Sequence, residues 1–254
     1  MLEHTFIHVP GIGQKTENNI WTQGVATWDD VDKLRPFKGF PRQRLTRVKE
    51  YISKSKNNLQ SKDGSFFSET LPSGEIWRAF KEFRSSSCYL DIETTGFDYT
   101  RDLLTTIGTW DGKESKSFVY GKNLFDFVEY IKRFKCIITF FGKGFDVPFI
   151  TNWMGIQLPQ LHIDLCFVFR SLGIRGGLKK IEHGFGMSRG ELEGVDGFEA
   201  VRLWFRYQKE GNQQALDKLL AYNLLDVVNL EPLMVKAYNL KVNELNQGFK
   251  LLEK

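Results

Sequence analysis

Apolar residues fall into two textures along the chain, loosely spaced before residue 85 and strongly patterned after it. Cys88-Tyr89-Leu90-Asp91-Ile92-Glu93 reads as a buried strand broken by two acids. Leu103–Trp110 and Ser117–Tyr120 read as the next two strands, joined by an Asp111-Gly112 turn. Leu124–Phe134 has the spacing of an amphipathic helix, and Cys136–Phe141 is a further apolar strand. Helices are expected at Pro148–Met154, Cys166–Leu172 and Leu178–His183, with longer ones at Phe198–Glu210 and Gln213–Asn239. Antiparallel strands first, then strands alternating with helices, predict an α/β fold in which helices cover a mixed sheet.

The first third is harder to read. Gly11-Ile12-Gly13 predicts a tight turn feeding a short helix that ends near Gly24, with a second short helix from Thr27. Ser, Asn and Lys dominate around Ser53–Ser65, which predicts a long, partly irregular connector; toward its end Ile76, Trp77 and Phe80 share one helical face. The expected organisation is an N-terminal segment over 1–32, a basic connector over 33–84, the patterned domain over 85–240 and a tail over 241–254.

Charge adds a second distinction. The net charge is +4, and residues 1–84 carry 14 Lys and Arg against 10 Asp and Glu, while residues 85–254 carry 21 against 21. Residues 33–56 alone hold nine basic side chains and one acid, Glu50. Such a cluster attracts polyanions in a salt-sensitive way, although a solvated helix face would look the same. No run of 18 apolar residues is present, so no membrane span is expected. Met1-Leu2-Glu3-His4 lacks the basic-then-apolar pattern of a secretory signal. Cys88, Cys136 and Cys166 are odd in number and widely spaced, which favours free thiols in a reducing cytoplasm over disulfides or zinc.

Three short segments carry candidate chemistry. Asp91 and Glu93 lie two apart on a strand, so both carboxylates face one side. Paired acids in an apolar strand need a neutralising partner, and hard divalent cations such as Mg²⁺ or Mn²⁺ supply one. In Phe140-Phe141-Gly142-Lys143-Gly144-Phe145-Asp146-Val147-Pro148, a strand enters a Gly-rich turn, and Asp146 precedes a helix that a Pro can start. By itself Asp146 reads first as a helix cap, the commonest use of such an Asp. Tyr222 and Asp226 are four apart on an apolar helix and share a face, an arrangement also met where a core Tyr neighbours a solvated Asp.

Taken together and in this order, Asp-x-Glu, Phe-Asp and Tyr-x-x-x-Asp resemble the three motifs of the DEDD 3′–5′ exonuclease superfamily, over residues 87–238. Tyr222 fits its Tyr branch; the His branch would place its His where Ala221 stands. The style of Tyr89–Gly96, of Leu178-Lys179-Lys180-Ile181-Glu182 and of Ala221–Leu230 is similar to the YprB-like group of ribonuclease-H-like exonucleases. The resemblance implies a ribonuclease-H-like fold. It also implies metal ligands Asp91, Glu93, Asp146 and Asp226, two divalent cations (Mg²⁺ or Mn²⁺), and a Tyr222 that positions the attacking water. The implied activity is 3′–5′ exonucleolytic hydrolysis of single-stranded DNA or RNA, with DNA ahead. One departure stands out: Phe141 occupies the place where similar proteins often carry Asn.

Pro10-Gly11-Ile12-Gly13-Gln14-Lys15-Thr16 resembles the hairpin of a helix-hairpin-helix motif, whose turn offers backbone N–H groups to a phosphate. With the basic stretch beside it, Gly11, Gly13, Lys15, Arg42, Arg44 and Arg47 become candidate nucleic-acid contacts; a plain packing unit is the alternative. Asp164 and His162 are expected to be structural, and His183 a capping or surface residue. An endonuclease using the same acids, or a nucleic-acid-binding scaffold with weak catalysis, would share these motifs. A dinucleotide-binding enzyme is excluded, because no Gly-x-Gly-x-x-Gly follows the first strand.

Overall fold

In the computed structural model, which describes residues 1–159 and 161–253, one mixed sheet organises the chain. Its strands are β1 (Ser87–Thr94), β2 (Leu104–Trp110), β3 (Ser115–Val119), β4 (Cys136–Thr139) and β5 (Leu161–Asp164). Their spatial order is β3-β2-β1-β4-β5, with β1 antiparallel to β2 and parallel to β4. Helices α5 (Phe127–Ile131), α6 (Asp146–Met154), α7 (Leu165–Ser171), α8 (Leu178–Gly184), α9 (Gly197–Glu210) and α10 (Gln213–Glu244) surround it. This is the helix-covered mixed α/β sheet that the pattern predicts, and it agrees with the ribonuclease-H-like fold that the resemblance implies.

The sheet's two faces follow from the period-two alternation of its strands. Cys88, Leu90, Ile92 and Ile137 point into one core with Phe149 and Ile150 of α6. Tyr89, Cys136 and Ile138 point into the other, with Leu230, Leu233 and Met234 of α10. Asp91 and Glu93 are in phase with Tyr89, so the two acids face α10. Asn212 caps α10 by accepting from the Ala215 amide at 3.0 Å, and the helix runs 32 residues. It continues past Asn239 to Glu244, so part of the expected tail is helical; residue 254 of that tail, like residue 160, lies outside the described residues.

The N-terminal third departs from expectation in two places. It contains α1 (Gln14–Thr22), α2 (Arg42–Gln60), α3 (Gly64–Thr70) and α4 (Phe80–Phe83). The connector expected to be irregular is, over Arg42–Gln60, a regular 19-residue helix. Leu45, Val48, Ile52 and Leu59 recur at helical spacing there, and Val48 and Ile52 are buried. Upstream, the Gly11-Ile12-Gly13 turn and α1 form as expected, but the segment before the turn is only a 3₁₀ turn, Leu2–His4, and the helix expected from Thr27 is a 3₁₀ helix, Trp28–Lys33. The helix-hairpin-helix resemblance therefore extends to the turn and the one helix after it.

Within this region, α1 is held to the segment just before α4 by a buried ion pair. Glu17 on α1 accepts from the Arg78 guanidinium at 2.9 Å and from the Phe6 and Ile7 amides at 2.6 and 2.9 Å. Both side chains are fully buried, and the surrounding apolar cluster runs without a break from Met1 to Val242. Three thiols, Cys88, Cys136 and Cys166, are free and buried. Among the described residues, no helix is long and apolar enough to cross a membrane.

Candidate active site

Strand β1 sets the first two acids, and its partner strand makes room beside them. Asp91 pairs across the sheet with Gly108 of β2. The Asn223 side chain of α10 occupies the space that Gly108 leaves, and a Cβ there would lie 2.5 Å from Asn223 Oδ1. Asn223 donates from Nδ2 to Asp91 Oδ2 at 2.8 Å and accepts from Thr106 Oγ1 at 3.4 Å. A glycine on one strand thus lets a helix amide hold a carboxylate on the next.

Tyr222 immediately precedes Asn223 on α10, and Asp226 stands about one turn further along. Oxygen atoms of Asp91, Glu93 and Asp226 all lie within 4.8 Å of one another. Asp146, in the first turn of α6, accepts from the Ile92 amide at 3.2 Å. It sits beside this trio rather than in it, but near enough for its charge to raise the Asp91 pKa. Burial pushes the Asp91 and Glu93 carboxyls well up, and neighbouring carboxylates add to the shift. Burial lifts Asp146 to about 7 and Asp226 to about 6, the latter held back by Arg189. Three carboxylates in mutual reach, Glu93 and Asp226 buried and Asp91 half-buried, each resisting a negative charge, fit a hard divalent cation. The Tyr222 hydroxyl lies against Asp226; burial and these acids push its pKa upward, so it keeps its proton.

The turn that delivers Asp146 is braced from β5. Asp164 accepts from the Phe141, Lys143 and Cys166 amides at 2.8, 3.0 and 3.0 Å. Thr139 Oγ1 accepts from the Gly142 amide at 3.1 Å and lies 2.8 Å from His162 Nε2. Asp164 and His162 are structural, as expected. Phe141 itself takes a left-handed backbone, φ +65°, with its ring over Gly144 and 45% of its surface exposed. His183 is on the surface, paired with Glu193 at 2.5 Å.

Sequence reasoning missed Arg189. Its guanidinium is buried, donates to Glu182 at 2.5 and 3.0 Å, and reaches Asp226. Asn229 Nδ2 donates to the same Glu182 at 2.9 Å, and the guanidinium lies 5.7 Å from the Tyr222 ring centre. Lys179 of α8 stands 5.4 Å from that ring from another side, and its charge favours an ionised Glu93. Opening outward from Glu93 is a cleft of about 600 Å³ lined by Phe97, Phe145, Phe198 and Arg202. Phe97 and Phe198 are 85% and 76% exposed, which is unusual for rings with no burial to gain.

The remaining candidate contacts are dispersed. Gly11 has φ +83°, Gly13 precedes the first turn of α1, and Lys15 is exposed. Arg42, Arg44 and Arg47 project from α2; Arg42 shares a cleft of about 450 Å³ with Arg35 and Lys49. Among the described residues, none of these three arginines is in an ion pair, whereas Lys33, Lys49 and Lys56 are neutralised by Asp30, Asp32 and Asp29. No hydrogen bond among the described residues links the Gly11–Lys15 turn to these arginines.

The RNase H superfamily model matches residues 88–238. No curated protein matches the chain. Among solved structures, the chain is similar to the family B DNA polymerase of Pyrobaculum calidifontis, at 18% identity and TM-score 0.47, over 64% of this chain and 27% of the polymerase. It is also similar to NrnC of Brucella melitensis (19%, TM-score 0.45, 65% and 78% of the two chains). The EXO domain of Aedes aegypti Nibbler is a third, at 10% identity and TM-score 0.45, over 68% and 87%. The chain thus spans about a quarter of the polymerase's length.

Proposed function

The chain belongs to the RNase H superfamily, and from that premise we propose that it is a metal-dependent 3′–5′ exonuclease of the DEDD Tyr branch, akin to the YprB-like group. Its substrate in this reading is single-stranded nucleic acid, DNA ahead of RNA. The observation that carries the reading is the mutual reach of Asp91, Glu93 and Asp226 within 4.8 Å, beside a buried Asp146. Asp91, Glu93 and Asp226, with Asp146 beside them, would hold two divalent cations, Mg²⁺ or Mn²⁺.

Bound divalent cations would acidify a water and neutralise charge on the phosphoryl group. The chain's own residues do the rest. Asn223 and Arg189 fix the Asp91 and Asp226 carboxylates in place from outside the cluster. Tyr222, protonated, orients the attacking water with its hydroxyl. Water adds across the P–O3′ bond, releasing a nucleoside 5′-monophosphate and leaving a 3′-hydroxyl on the shortened strand. Exposed Phe97 and Phe198 flank the way in, and unpaired bases can stack there. Gly11, Gly13 and Lys15 with Arg42, Arg44 and Arg47 serve in this account as distant phosphate contacts. Buried free thiols suit a reducing compartment, and the reading assigns the protein to the cytoplasm.

Exonuclease and endonuclease readings separate on topology of the substrate. Linear single-stranded DNA should be shortened from its 3′ end in Mn²⁺ while a circular strand of the same sequence stays whole. Linearisation of the circle would establish the endonuclease instead.

A further inference from the structure

A second cleft, of about 820 Å³, opens at Phe140 and Phe141, where the turn that carries Asp146 begins. Phe140, Phe141, Arg170, Arg175, Gly177 and Leu178 are among the residues that line it, and no acidic side chain does. Arg170 and Arg175 are exposed and, among the described residues, in no ion pair. Arg170 lies 5.6 Å from the ring of Phe167, itself 46% exposed. Lys143 and Lys180, also exposed and outside any ion pair among the described residues, stand in the segments that border it. The surface is therefore an unneutralised basic patch with apolar rings set into it.

Phe141 gives this cleft its character. A non-glycine residue in the left-handed region carries a strain of about 1–2 kcal/mol, and here Asp164 fixes the backbone by accepting the Phe141 amide. The effect is to present an aromatic face toward solvent where a core position would hide it. Local strain that displays a side chain instead of burying it is a mark of a functional surface. The position is tied to the catalytic acids twice. Phe141 opens the turn that Asp146 closes, and Leu178 in the cleft wall precedes Lys179, which stands against Tyr222.

We propose that this cleft binds the single-stranded segment upstream of the scissile bond, with Arg170 and Arg175 on its phosphates and a base stacked on Phe141. The proposal rests on the nuclease reading for its direction but not for its chemistry. Polyanion and unpaired base are what unpaired arginines beside exposed rings recognise. In this proposal a dinucleotide held at the acids leaves the cleft empty, whereas a longer strand crosses the turn into it.

The test uses the full chain and two readouts. Binding of a 5′-fluorescein 16-mer is followed by anisotropy in EDTA across a salt series, and hydrolysis of a dinucleotide is followed in Mn²⁺. Arg170→Ala/Arg175→Ala should weaken 16-mer binding about tenfold and lower the salt slope by about 1.4, at roughly 0.7 per phosphate contact on a single strand. Phe141→Ala should weaken it about fivefold with the slope unchanged, as expected for a lost stack. Dinucleotide hydrolysis should be unaffected in the double variant. Unchanged 16-mer affinity in the double variant, or tighter binding of a blunt duplex than of the single strand, overturns the proposal. If wild type cuts nothing yet the double variant loses 16-mer binding, the cleft stands and the nuclease reading falls. Cleavage with an affinity indifferent to both arginines has the opposite meaning.

Discussion

Arg189 and Glu182 form a buried ion pair at 2.5 Å, and the same guanidinium reaches Asp226 in the acid cluster. Neither side chain of the pair touches solvent appreciably, so each depends on the other for its charge to be tolerable. The pair is the mount on which one carboxylate of the cluster is set. Removing one partner strands a charge in the interior, whose cost is typically about 3–5 kcal/mol. Arg189→Gln should therefore lower stability by about that amount in urea unfolding, and Mn²⁺ affinity should fall with it. Arg189→Lys should recover part of the stability but less of the affinity, because a lysine cannot span Glu182 and Asp226 with a planar fork. Equal Mn²⁺ affinity in wild type and Arg189→Gln would remove the mounting role.

Gly108 and Asn223 make a second, sharper case. A methyl at Gly108 would meet the Asn223 amide at 2.5 Å, and that amide is committed to Asp91 and Thr106. Gly108→Ala should destabilise by about 1–3 kcal/mol through overpacking. It should also lower cleavage far more than an alanine elsewhere in β2 does, since the displaced amide releases Asp91. Thermal melts and single-turnover rates on the same preparations check both halves; an active, equally stable variant would refute the argument.

The acid cluster makes stability depend on pH in an unusual direction. Asp146 and Asp226 have folded pKa values raised to about 7 and about 6 from an ordinary 3.8. The folded chain holds protons that the unfolded chain has released, so their contribution is fully present below about pH 4 and is lost as pH rises through about 7. Burial holds His8 and His162 down to about 3, which acts the other way, so the acids are read by comparison. In EDTA, raising the pH from 5 to 8 should lower the melting temperature of wild type relative to that of Asp146→Asn/Asp226→Asn. Divalent cations reverse the sign by stabilising the ionised form, so Mn²⁺ should raise the melting temperature at pH 8 and hardly at pH 5. An equal pH response in wild type and the double variant would show that the acids are not buried as a group.

Phe141 exchanges stability for display. Asparagine tolerates the left-handed region better than phenylalanine does. Phe141→Asn should raise stability by up to about 1 kcal/mol, with the amide still donating to Asp164, and should weaken oligonucleotide binding. A lower melting temperature would mean that the ring's contact with Gly144 outweighs the backbone strain.

Much of the site could be read before the fold was known, because its geometry is local. Asp91 and Glu93 share a face by strand period, and Tyr222 and Asp226 by helix period, whatever surrounds them. Asp146 was visible only through its motif, since its place is fixed by a turn whose anchor, Asp164, lies on another strand. Arg189 had no such signal: it lies outside any periodic element, and its partners Glu182 and Asp226 are 7 and 37 residues away. In α2, six basic residues between Arg42 and Lys56 hid an apolar stripe of only Leu45, Val48, Ile52 and Leu59. The internal packing of the N-terminal third could not be read at all, because Glu17 and Arg78 are 61 residues apart and declare their pairing only in three dimensions.

The most direct measurement of the central claim is cleavage of 5′-labelled single-stranded DNA and RNA in Mg²⁺ or Mn²⁺, with Asp226→Ala and Tyr222→Phe run beside wild type. The account predicts a ladder of shortened products that requires the cation. It should vanish in Asp226→Ala and slow at least about a hundredfold in Tyr222→Phe, the scale of a lost proton-positioning group. Intact substrate in every lane with wild type, or a ladder that survives Asp226→Ala, would contradict it.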